Sequence, residues 1–205
     1  MDCTDKGKAE KMEIQDIRER LHRILSPFRY RHSLATQKVA VDLAHYYNLD
    51  TVRASLAAFL HDCGKGFSNR EAESYIEKYG VRLDAIEKEE PELWHGPIGE
   101  EMAKHEFGIK DSVVLRAIRI HSTAEGQMSN IAKIVYIADY LEPNRHLKGK
   151  GQIIKFAFKD LDLACLYVLN HKLSYILHKK VFVHPRSIEA RNNLLRTIRP
   201  LKENL

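Results

Sequence analysis

The chain has 205 residues and a formal net charge of +5, and 44% of its residues are hydrophobic while 30% are charged. This length favours one domain with a substantial core, and the composition excludes disordered and fibrous proteins. The three cysteines are odd in number and far apart, so we expect reduced thiols rather than a disulfide framework. Because no segment could span a bilayer and the N-terminus lacks an apolar signal core, we expect a cytoplasmic protein with no membrane partner.

Two helices are predicted near the start of the chain. Residues 1–12 are polar and rich in lysine, which indicates a flexible leader ahead of a helical domain over 13–200 with a C-terminal helical extension. From Ile14, apolar residues recur at helical spacing until Pro27 ends the pattern. A second helix is expected to open at His32, which places that imidazole on an apolar face.

The third predicted helix ends in the two residues on which the functional hypothesis depends. Asp50 is a helix start signal, and the apolar stripe that follows it delivers His61 and Asp62 side by side. Gly64 lies just beyond this pair and is the residue type that a helix C-terminus favours. A further amphipathic helix is expected on the surface, with Gly80 as its terminator.

Three later helices each carry another polar side chain toward the core. His95 stands at or just before the first turn of one helix. Asp111 caps a second helix, and the apolar stripe of that helix includes His121. Asn130 opens a third helix, in which Asp139 falls at the edge of the apolar face.

The C-terminal third is predicted to be helical as well. Gly149 and Gly151 indicate a loop, and a long amphipathic pattern then runs over about 156–180. A final helix is expected over about 187–198. Because alternation of apolar and polar residues is nearly absent, we predict an all-α, single-domain helical bundle.

The predicted helices carry six side chains of types that bind divalent metals. These are His32, His61, Asp62, His95, His121 and Asp139. A single histidine on an apolar face is more often a hydrogen-bonded core residue than a ligand. Asp139 is harder to explain in this way, since a buried carboxylate is costly without a cation or hydrogen-bond donors. A shared metal site accounts for all six residues together.

The number and type of these ligands indicate the cofactor. Nitrogen and oxygen ligands without thiolate suit iron, manganese, cobalt, nickel or zinc, and six side chains exceed what one catalytic ion needs. We therefore expect two divalent ions, which generate hydroxide near neutral pH and bind the oxygens of an in-line displacement at phosphorus. The expected ligands are His32, His61, Asp62 and Asp139 for the first ion, and His95 and His121 for the second, with Asp62 as a bridge.

Several stretches of the chain together resemble a known family. The order of His32, the adjacent His61 and Asp62, and then Asp139 resembles the HD-domain metal-dependent phosphohydrolases, an all-helical superfamily. A narrower likeness, to the bacterial YqeK-type proteins, extends from about Met12 over nearly the whole chain. The stretches that carry it are residues 31–34, 60–65, 93–97, 117–123, 137–145 and 184–191.

This resemblance implies a helical bundle of the HD-domain type and a particular reaction. It implies symmetrical cleavage of diadenosine tetraphosphate into two ADP by attack of metal-activated water on an inner phosphorus, with iron as the bound metal. From the ligand types alone, manganese, cobalt and zinc stay open as alternatives. The expected partner is a dinucleoside polyphosphate or another nucleotide; nucleic acid is not favoured, and a homodimer is left open.

Several residues are assigned roles in this reaction. Lys65 and Arg145 follow ligands closely in sequence and could reach phosphate oxygens, where a cation stabilises charge in the transition state. Thr123 could donate a hydrogen bond to phosphate, although capping of a local turn is an equal alternative. The expected catalytic residues are Asp62, Lys65, His95 and His121. If one metal binds instead of two, either of these histidines could act as a general acid.

Other charged and aromatic residues near these segments are placed outside the site. Arg29, Arg31 and Arg186 are expected to be structural or solvent-facing, and His184 is assigned to a loop. Aromatic residues at helical spacing belong to the core more often than to a ligand site. The aromatic candidates for stacking on adenine are Tyr46, Tyr47, Tyr136 and Trp94.

Two other kinds of function stay open at this point. Another phosphoester hydrolase, such as a nucleoside monophosphatase or a cyclic-dinucleotide phosphodiesterase, would differ in its products, namely free phosphate or a linear dinucleotide. A basic nucleic-acid-binding protein is suggested by a pI near 9.0 and by basic segments at 148–150 and 196–202. That function predicts salt-dependent affinity and no need for a metal, and it leaves the inward ligand set unexplained.

Overall fold

The structure is a computed structural model that describes residues 14–143 and 150–202. These residues form helices and connecting turns and contain no β-strand, so the all-α prediction is confirmed. The helices are α1 (Ile14–Ile24), α2 (Pro27–Tyr46), α3 (Thr51–Leu60), α4 (Asn69–Tyr79), α5 (Ala85–Glu89), α6 (His95–His105), α7 (Ser112–Ile120), α8 (Asn130–Leu141), α9 (Lys150–Ala157), α10 (Leu161–Lys179) and α11 (Pro185–Lys202). Two 3₁₀ turns lie at Cys63–Gly66 and Pro91–Leu93. The leader predicted over 1–12 lies outside the described residues.

Helix ends follow the capping residues in the sequence. The carboxylate of Asp50 accepts hydrogen bonds from Val52 N and Arg53 N in the first turn of α3, and Asp111 caps α7 in the same way. Gly80 follows α4 with a φ of 60°, in the left-handed region that glycine adopts without strain. The predicted starts of α3 and α7 and the predicted end of α4 are therefore confirmed.

Two stretches differ from the prediction. The amphipathic pattern expected as one helix over 156–180 is divided between α9 and α10, because the carboxylate of Asp160 accepts two first-turn N–H groups and begins a new helix. Apolar spacing continues across this junction, so periodicity alone does not reveal it. Gly151, expected in a loop, lies within α9. Pro27 begins α2 rather than only ending α1, which places His32 in the second turn of α2.

Helix α8 is the centre of the bundle. It packs against α2, α3, α7 and α10, and its residues from Ile134 to Leu141 are all buried. A helix that is covered on every side needs apolar residues around its whole circumference, and within 134–141 the charged exception is Asp139. This carboxylate is therefore held in the interior by the helix that the others surround.

Close backbone packing brings the end of α3 against the start of α6. A Cβ atom added to Gly64 would lie 2.4 Å from the backbone oxygen of His95, which no side chain can tolerate. Gly64 therefore allows the turn after α3 to approach the start of α6 closely. From the sequence it was expected to end a helix instead. This contact sets the turn that follows His61 and Asp62 directly against the first residue of α6.

None of the described helices combines the length and the apolar character required to cross a bilayer.

Candidate metal centre

The six predicted ligand side chains converge in the interior from five segments of the fold. They are His32 on α2, His61 and Asp62 directly after α3, His95 at the start of α6, His121 directly after α7, and Asp139 in the last turn of α8. All six are buried, with exposed fractions between 0% and 9%. Segments that are distant in sequence thus deliver four imidazoles and two carboxylates to one place.

The imidazoles are arranged as two facing pairs. In the first pair, His32 Nε2 lies 3.1 Å from His61 Nε2, and Asp139 Oδ1 lies 3.2 Å from His32 Nε2 and 3.8 Å from His61 Nε2. In the second pair, His95 Nε2 lies 3.1 Å from His121 Nε2. The Nε2 atoms within each pair are therefore directed at one another.

Asp62 lies between the two pairs. Its Oδ2 is 3.8 Å from Nε2 of both His32 and His61. Its Oδ1 is 3.5 Å from His121 Nε2 and 3.9 Å from His95 Nε2. Each carboxylate oxygen thus faces a different pair of imidazoles.

Backbone hydrogen bonds fix which ring nitrogen carries the proton. In His61, His95 and His121 the Nδ1 atom lies 2.6–2.7 Å from the carbonyl oxygen three residues earlier. A carbonyl oxygen can only accept, so Nδ1 is the protonated donor in each ring. On a neutral ring Nε2 then carries a lone pair, which is the arrangement that metal-binding histidines use.

Burial lowers the pKa of two of the imidazoles, and the imidazoles around Asp62 lower the pKa of its carboxyl group. Desolvation lowers the pKa of His61 to about 4, and desolvation together with His121 lowers the pKa of His95 well below its usual range. Burial alone raises the pKa of Asp62, but the surrounding imidazoles lower it well below the usual range of a carboxyl group. At pH 7 the rings of His61 and His95 are therefore neutral and Asp62 is an anion.

This geometry fits divalent metal ions. The Nε2 lone pairs of His95 and His121 face each other at 3.1 Å, and they repel unless a proton or a cation lies near both. Two ligands that bind one ion at a right angle, with bonds of about 2.1 Å, lie about 3.0 Å apart. The donor types and the separations within each pair are thus those of a metal site built from nitrogen and oxygen ligands.

Three further side chains contact the cluster. Glu142 Oε1 lies 3.5 Å from His32 Nδ1, on the side of the ring that faces away from the cluster. Arg29 Nη1 lies 2.9 Å from Asp62 Oδ2, and Lys172 Nζ lies 3.3 Å from Asp139 Oδ2. Carboxylates behind ligating histidines orient the rings, and cations beside ligating carboxylates hold them in place.

A cleft with a volume of about 530 Å³ opens onto these ligands. Four of the ligands line it: Asp62, His95, His121 and Asp139. Its cationic residues are Arg29, Lys65 and Lys172. Its other lining residues are Ser122, Tyr140, His171, Tyr175 and Ile176. The cluster is therefore accessible from one side, through an opening with a positive rim.

The remaining predicted site residues have different surroundings. Lys65 lines the cleft, and its Nζ lies 3.4 Å from Oε2 of Glu92. Thr123 is buried, and its hydroxyl donates to the carbonyl of the next residue at 3.1 Å, whereas the neighbouring Ser122 lines the cleft. Arg145 lies outside the described residues.

Residues that sequence reasoning missed reach the site through tertiary structure. Arg29 was placed outside the site and contacts Asp62. Glu142 follows Asp139 by three residues, and this helical spacing could have indicated it. Lys172 has no such signal, because it lies on α10, 33 residues from its partner Asp139. The aromatic candidates Tyr46, Tyr47, Tyr136 and Trp94 are not among the residues that line the cleft.

A second group of histidine and carboxylate side chains lies elsewhere in the fold. His184 Nε2 is 2.9 Å from Asp84 Oδ2, and Arg186 Nη2 is 2.8 Å from the same oxygen. Arg119 Nη2 donates to Glu87 Oε2 at 2.7 Å, and Arg186 also reaches Glu87. Two guanidinium groups neutralise these carboxylates, so the group joins α11 to α5 and α7 and does not call for a metal. His184, assigned to a loop, is buried in this network.

The fold and the first cluster together define an all-helical protein with a buried divalent-metal site at the base of a cationic cleft. A family model for the HD domain matches residues 29–144, which is more than half of the chain and includes all six ligand-type side chains. The chain belongs to the HD domain family, as its sequence resemblance predicted.

Similarity extends over most of the chain to proteins with a named activity. The chain is 34% identical over 171 residues to the symmetrical bis(5'-nucleosyl)-tetraphosphatase of Halalkalibacterium halodurans, covering 83% of this chain and 91% of that protein. It is 30% identical over 171 residues to the enzyme of the same name from Bacillus subtilis, with the same coverage of both chains.

A solved structure has the same fold. It is that of a predicted HD superfamily hydrolase involved in NAD metabolism from Clostridium acetobutylicum, which is 36% identical in sequence and has a TM-score of 0.86. The match covers 91% of this chain and 98% of that one. The similarity therefore continues beyond the HD domain model into the C-terminal helices.

Proposed function

We propose that the chain is a metal-dependent hydrolase that cleaves diadenosine tetraphosphate symmetrically into two ADP. The proposal rests on two facing imidazole pairs, with Asp62 between them, at the base of a cleft lined by three cations. Such a site suits a substrate whose reacting part is a polyphosphate, since metal ions and cations both bind phosphate oxygens. Relatives that match most of the chain are named for this reaction.

The proposed metal assignment follows the two imidazole pairs. The ligands are His32, His61, Asp62 and Asp139 for a first ion, and His95, His121 and the shared Asp62 for a second. Asp62 is suited to be the bridge because its two oxygens face different pairs. Iron is the proposed metal because the family resemblance implies it, and the nitrogen and oxygen donors without thiolate leave manganese, cobalt and zinc as alternatives.

The protein holds the ligands and supplies charge around the reacting phosphates. Divalent ions in such a site provide hydroxide near neutral pH and offset the charge of phosphate oxygens. The Nδ1 hydrogen bonds of His61, His95 and His121 keep each Nε2 pointing inward. Because the pKa of His95 lies well below its usual range, this ring is neutral at pH 7 and suits a ligand better than a general acid.

Lys65 is proposed to stabilise the negative charge that develops as ADP leaves. Its partner Glu92 is highly exposed, so the ion pair between them is weak and the ammonium group can turn to a phosphate. Arg29 and Lys172 add positive charge at the same cleft. Substrate binding by Thr123 and Arg145 stays a prediction.

Metal analysis combined with identification of the nucleotide products tests this proposal. We expect the purified protein to contain two metal ions per chain and to form two ADP from each diadenosine tetraphosphate. In Asp62→Ala we expect loss of bound metal and of turnover. Asp42→Ala changes an exposed carboxylate on α2 and is the control that keeps both. Full activity in a metal-free Asp62→Ala protein would end the proposal.

The same measurements separate the alternatives. Release of free phosphate from a nucleoside monophosphate would indicate a monophosphatase, and a linear dinucleotide from a cyclic one would indicate a phosphodiesterase. Steeply salt-dependent affinity for RNA or DNA without a metal requirement would indicate a nucleic-acid-binding protein. A cytoplasmic location and a homodimer stay predictions, which cell fractionation and light scattering can check.

A further inference from the structure

One wall of the cleft carries aromatic and apolar side chains, whereas the rest of its lining is polar or charged. Helix α10 presents His171, Lys172, Tyr175 and Ile176 to the cleft, and their spacing is that of a single helix face. The ring of Tyr140, on α8, lies edge-on to the ring of His171 with 6.1 Å between centroids. None of these rings belongs to the proposed ligand set, so the wall calls for a different role.

Tyr175 is an exposed residue of this wall. It is 63% exposed, although its ring is a large apolar surface. Lys179 Nζ lies 5.7 Å from the centroid of the ring. An exposed aromatic ring at the edge of a cleft provides a surface on which a planar ligand group can be buried.

The groups along the cleft follow the order of the groups in a nucleotide. Asp139 belongs to the metal cluster, and Lys172 Nζ lies 3.3 Å from its Oδ2. Tyr175 is three residues further along α10, which is about 4.5 Å along the helix axis. Outward from the metal ligands the cleft thus offers a cation and then an aromatic ring. A nucleoside diphosphate presents phosphates and then a base in the same order.

We propose that Tyr175 stacks against one nucleobase of the substrate, and that His171 and Tyr140 complete the wall of this base subsite. The inference rests on the proposed function, whose substrate has two identical halves. One base subsite is therefore sufficient, because either half of the molecule can occupy it and place the inner phosphates at the metal ligands. Stacking uses the face of the base, so Tyr175 contributes through its ring and not through its hydroxyl group.

The base subsite is tested by calorimetry on the metal-loaded wild type, Tyr175→Ala and Tyr175→Phe. For each protein the affinity for ADP and the affinity for inorganic pyrophosphate are measured. ADP carries a base and pyrophosphate does not, so the comparison isolates stacking from phosphate binding. Leu177→Ala is the matched control, because Leu177 lies on α10, is 66% exposed and is not among the residues that line the cleft. Alanine favours the helix, so neither alanine variant is expected to unfold.

We expect Tyr175→Ala to weaken ADP binding by about 5- to 150-fold, the range for loss of one base–aromatic stack. Pyrophosphate binding should be unchanged, and Tyr175→Phe and Leu177→Ala should bind ADP like the wild type. The KM for diadenosine tetraphosphate should rise in Tyr175→Ala by a similar factor while kcat changes less.

Three results would contradict the proposed base subsite. These are unchanged ADP affinity in Tyr175→Ala, equal weakening of ADP and pyrophosphate, and a wild-type protein without measurable affinity for ADP. If the wild type binds ADP through Tyr175 but does not cleave diadenosine tetraphosphate, the proposed function fails and the subsite stands. The two failures are therefore distinguishable.

Discussion

Two buried clusters in this protein contain the same kinds of side chain and differ in how their charge is neutralised. In the cluster of Asp84, Glu87 and His184, the carboxylates accept hydrogen bonds from Arg119 and Arg186 at 2.7 and 2.8 Å. Guanidinium groups are permanently charged, so these carboxylates have their counterions within the protein. The result is a structural junction that ties α11 to the rest of the bundle.

The cluster around Asp62 and Asp139 is different at its centre. Arg29 and Lys172 contact the two carboxylates from the cleft, yet four imidazole Nε2 atoms remain directed at one another in pairs at 3.1 Å. The facing Nε2 lone pairs of His95 and His121 need a cation between them. The carboxylates of the other cluster are already bound by guanidinium groups and need no further cation. Histidine and carboxylate side chains that lie close together therefore indicate a metal where imidazole Nε2 atoms also face one another, even though protein cations contact the carboxylates.

The largest expected difference in metal content and turnover is between two variants, each of which replaces one histidine from one of the two clusters. His61→Ala removes an inward Nε2 lone pair, so we expect loss of metal and a fall in kcat of at least about 10⁴-fold, which is about 5.5 kcal/mol. His184→Ala removes a hydrogen bond to Asp84 and should keep both metal and turnover in the folded protein. Elemental analysis and steady-state kinetics on both variants make the comparison. Equal loss of metal from the two would contradict the distinction between the clusters.

The junction can be broken without changing the metal centre. Glu87→Ala leaves the buried guanidinium group of Arg119 without the carboxylate that lies 2.7 Å away, and Arg186 keeps only Asp84, so we expect the free energy of unfolding to fall by about 3–5 kcal/mol. Glu89→Ala changes an exposed residue of the same helix α5 and should have little effect. Denaturant titration gives both values, and the metal content of folded Glu87→Ala should equal that of the wild type. Loss of metal at equal stability would instead place Glu87 in the metal centre.

The smallest of these effects concerns the support of a single ligand. Glu142 Oε1 lies 3.5 Å from His32 Nδ1, behind the ring. Glu142→Gln keeps the shape of the side chain and removes its charge, so we expect metal affinity to fall by about 10- to 100-fold. Competition with a chelator measures this affinity. An affinity equal to that of the wild type would show that His32 is oriented by its other contacts.

Local signals predicted most of the helices. Asp50, Asp111 and Gly80 mark helix ends through hydrogen bonds and φ angles that involve only residues within one turn, and the structure has these ends. The junction between α9 and α10 was missed because the apolar spacing continues across it. The regular spacing of apolar residues within a helix indicates which face is buried but not where one helix ends and the next begins.

By itself, the sequence determined the all-helical fold, the family and the types of side chain available as ligands, because periodicity, caps and motifs are properties of neighbouring residues. Only the tertiary structure decided which of these side chains meet. Asp84 and Arg186 are 102 residues apart in the chain, and Asp139 and Lys172 are 33 apart. Which carboxylates are held by guanidinium groups in a structural junction, and which lie beside facing imidazole Nε2 atoms, depends on such distant contacts, and so does the aromatic wall that α10 adds to the cleft.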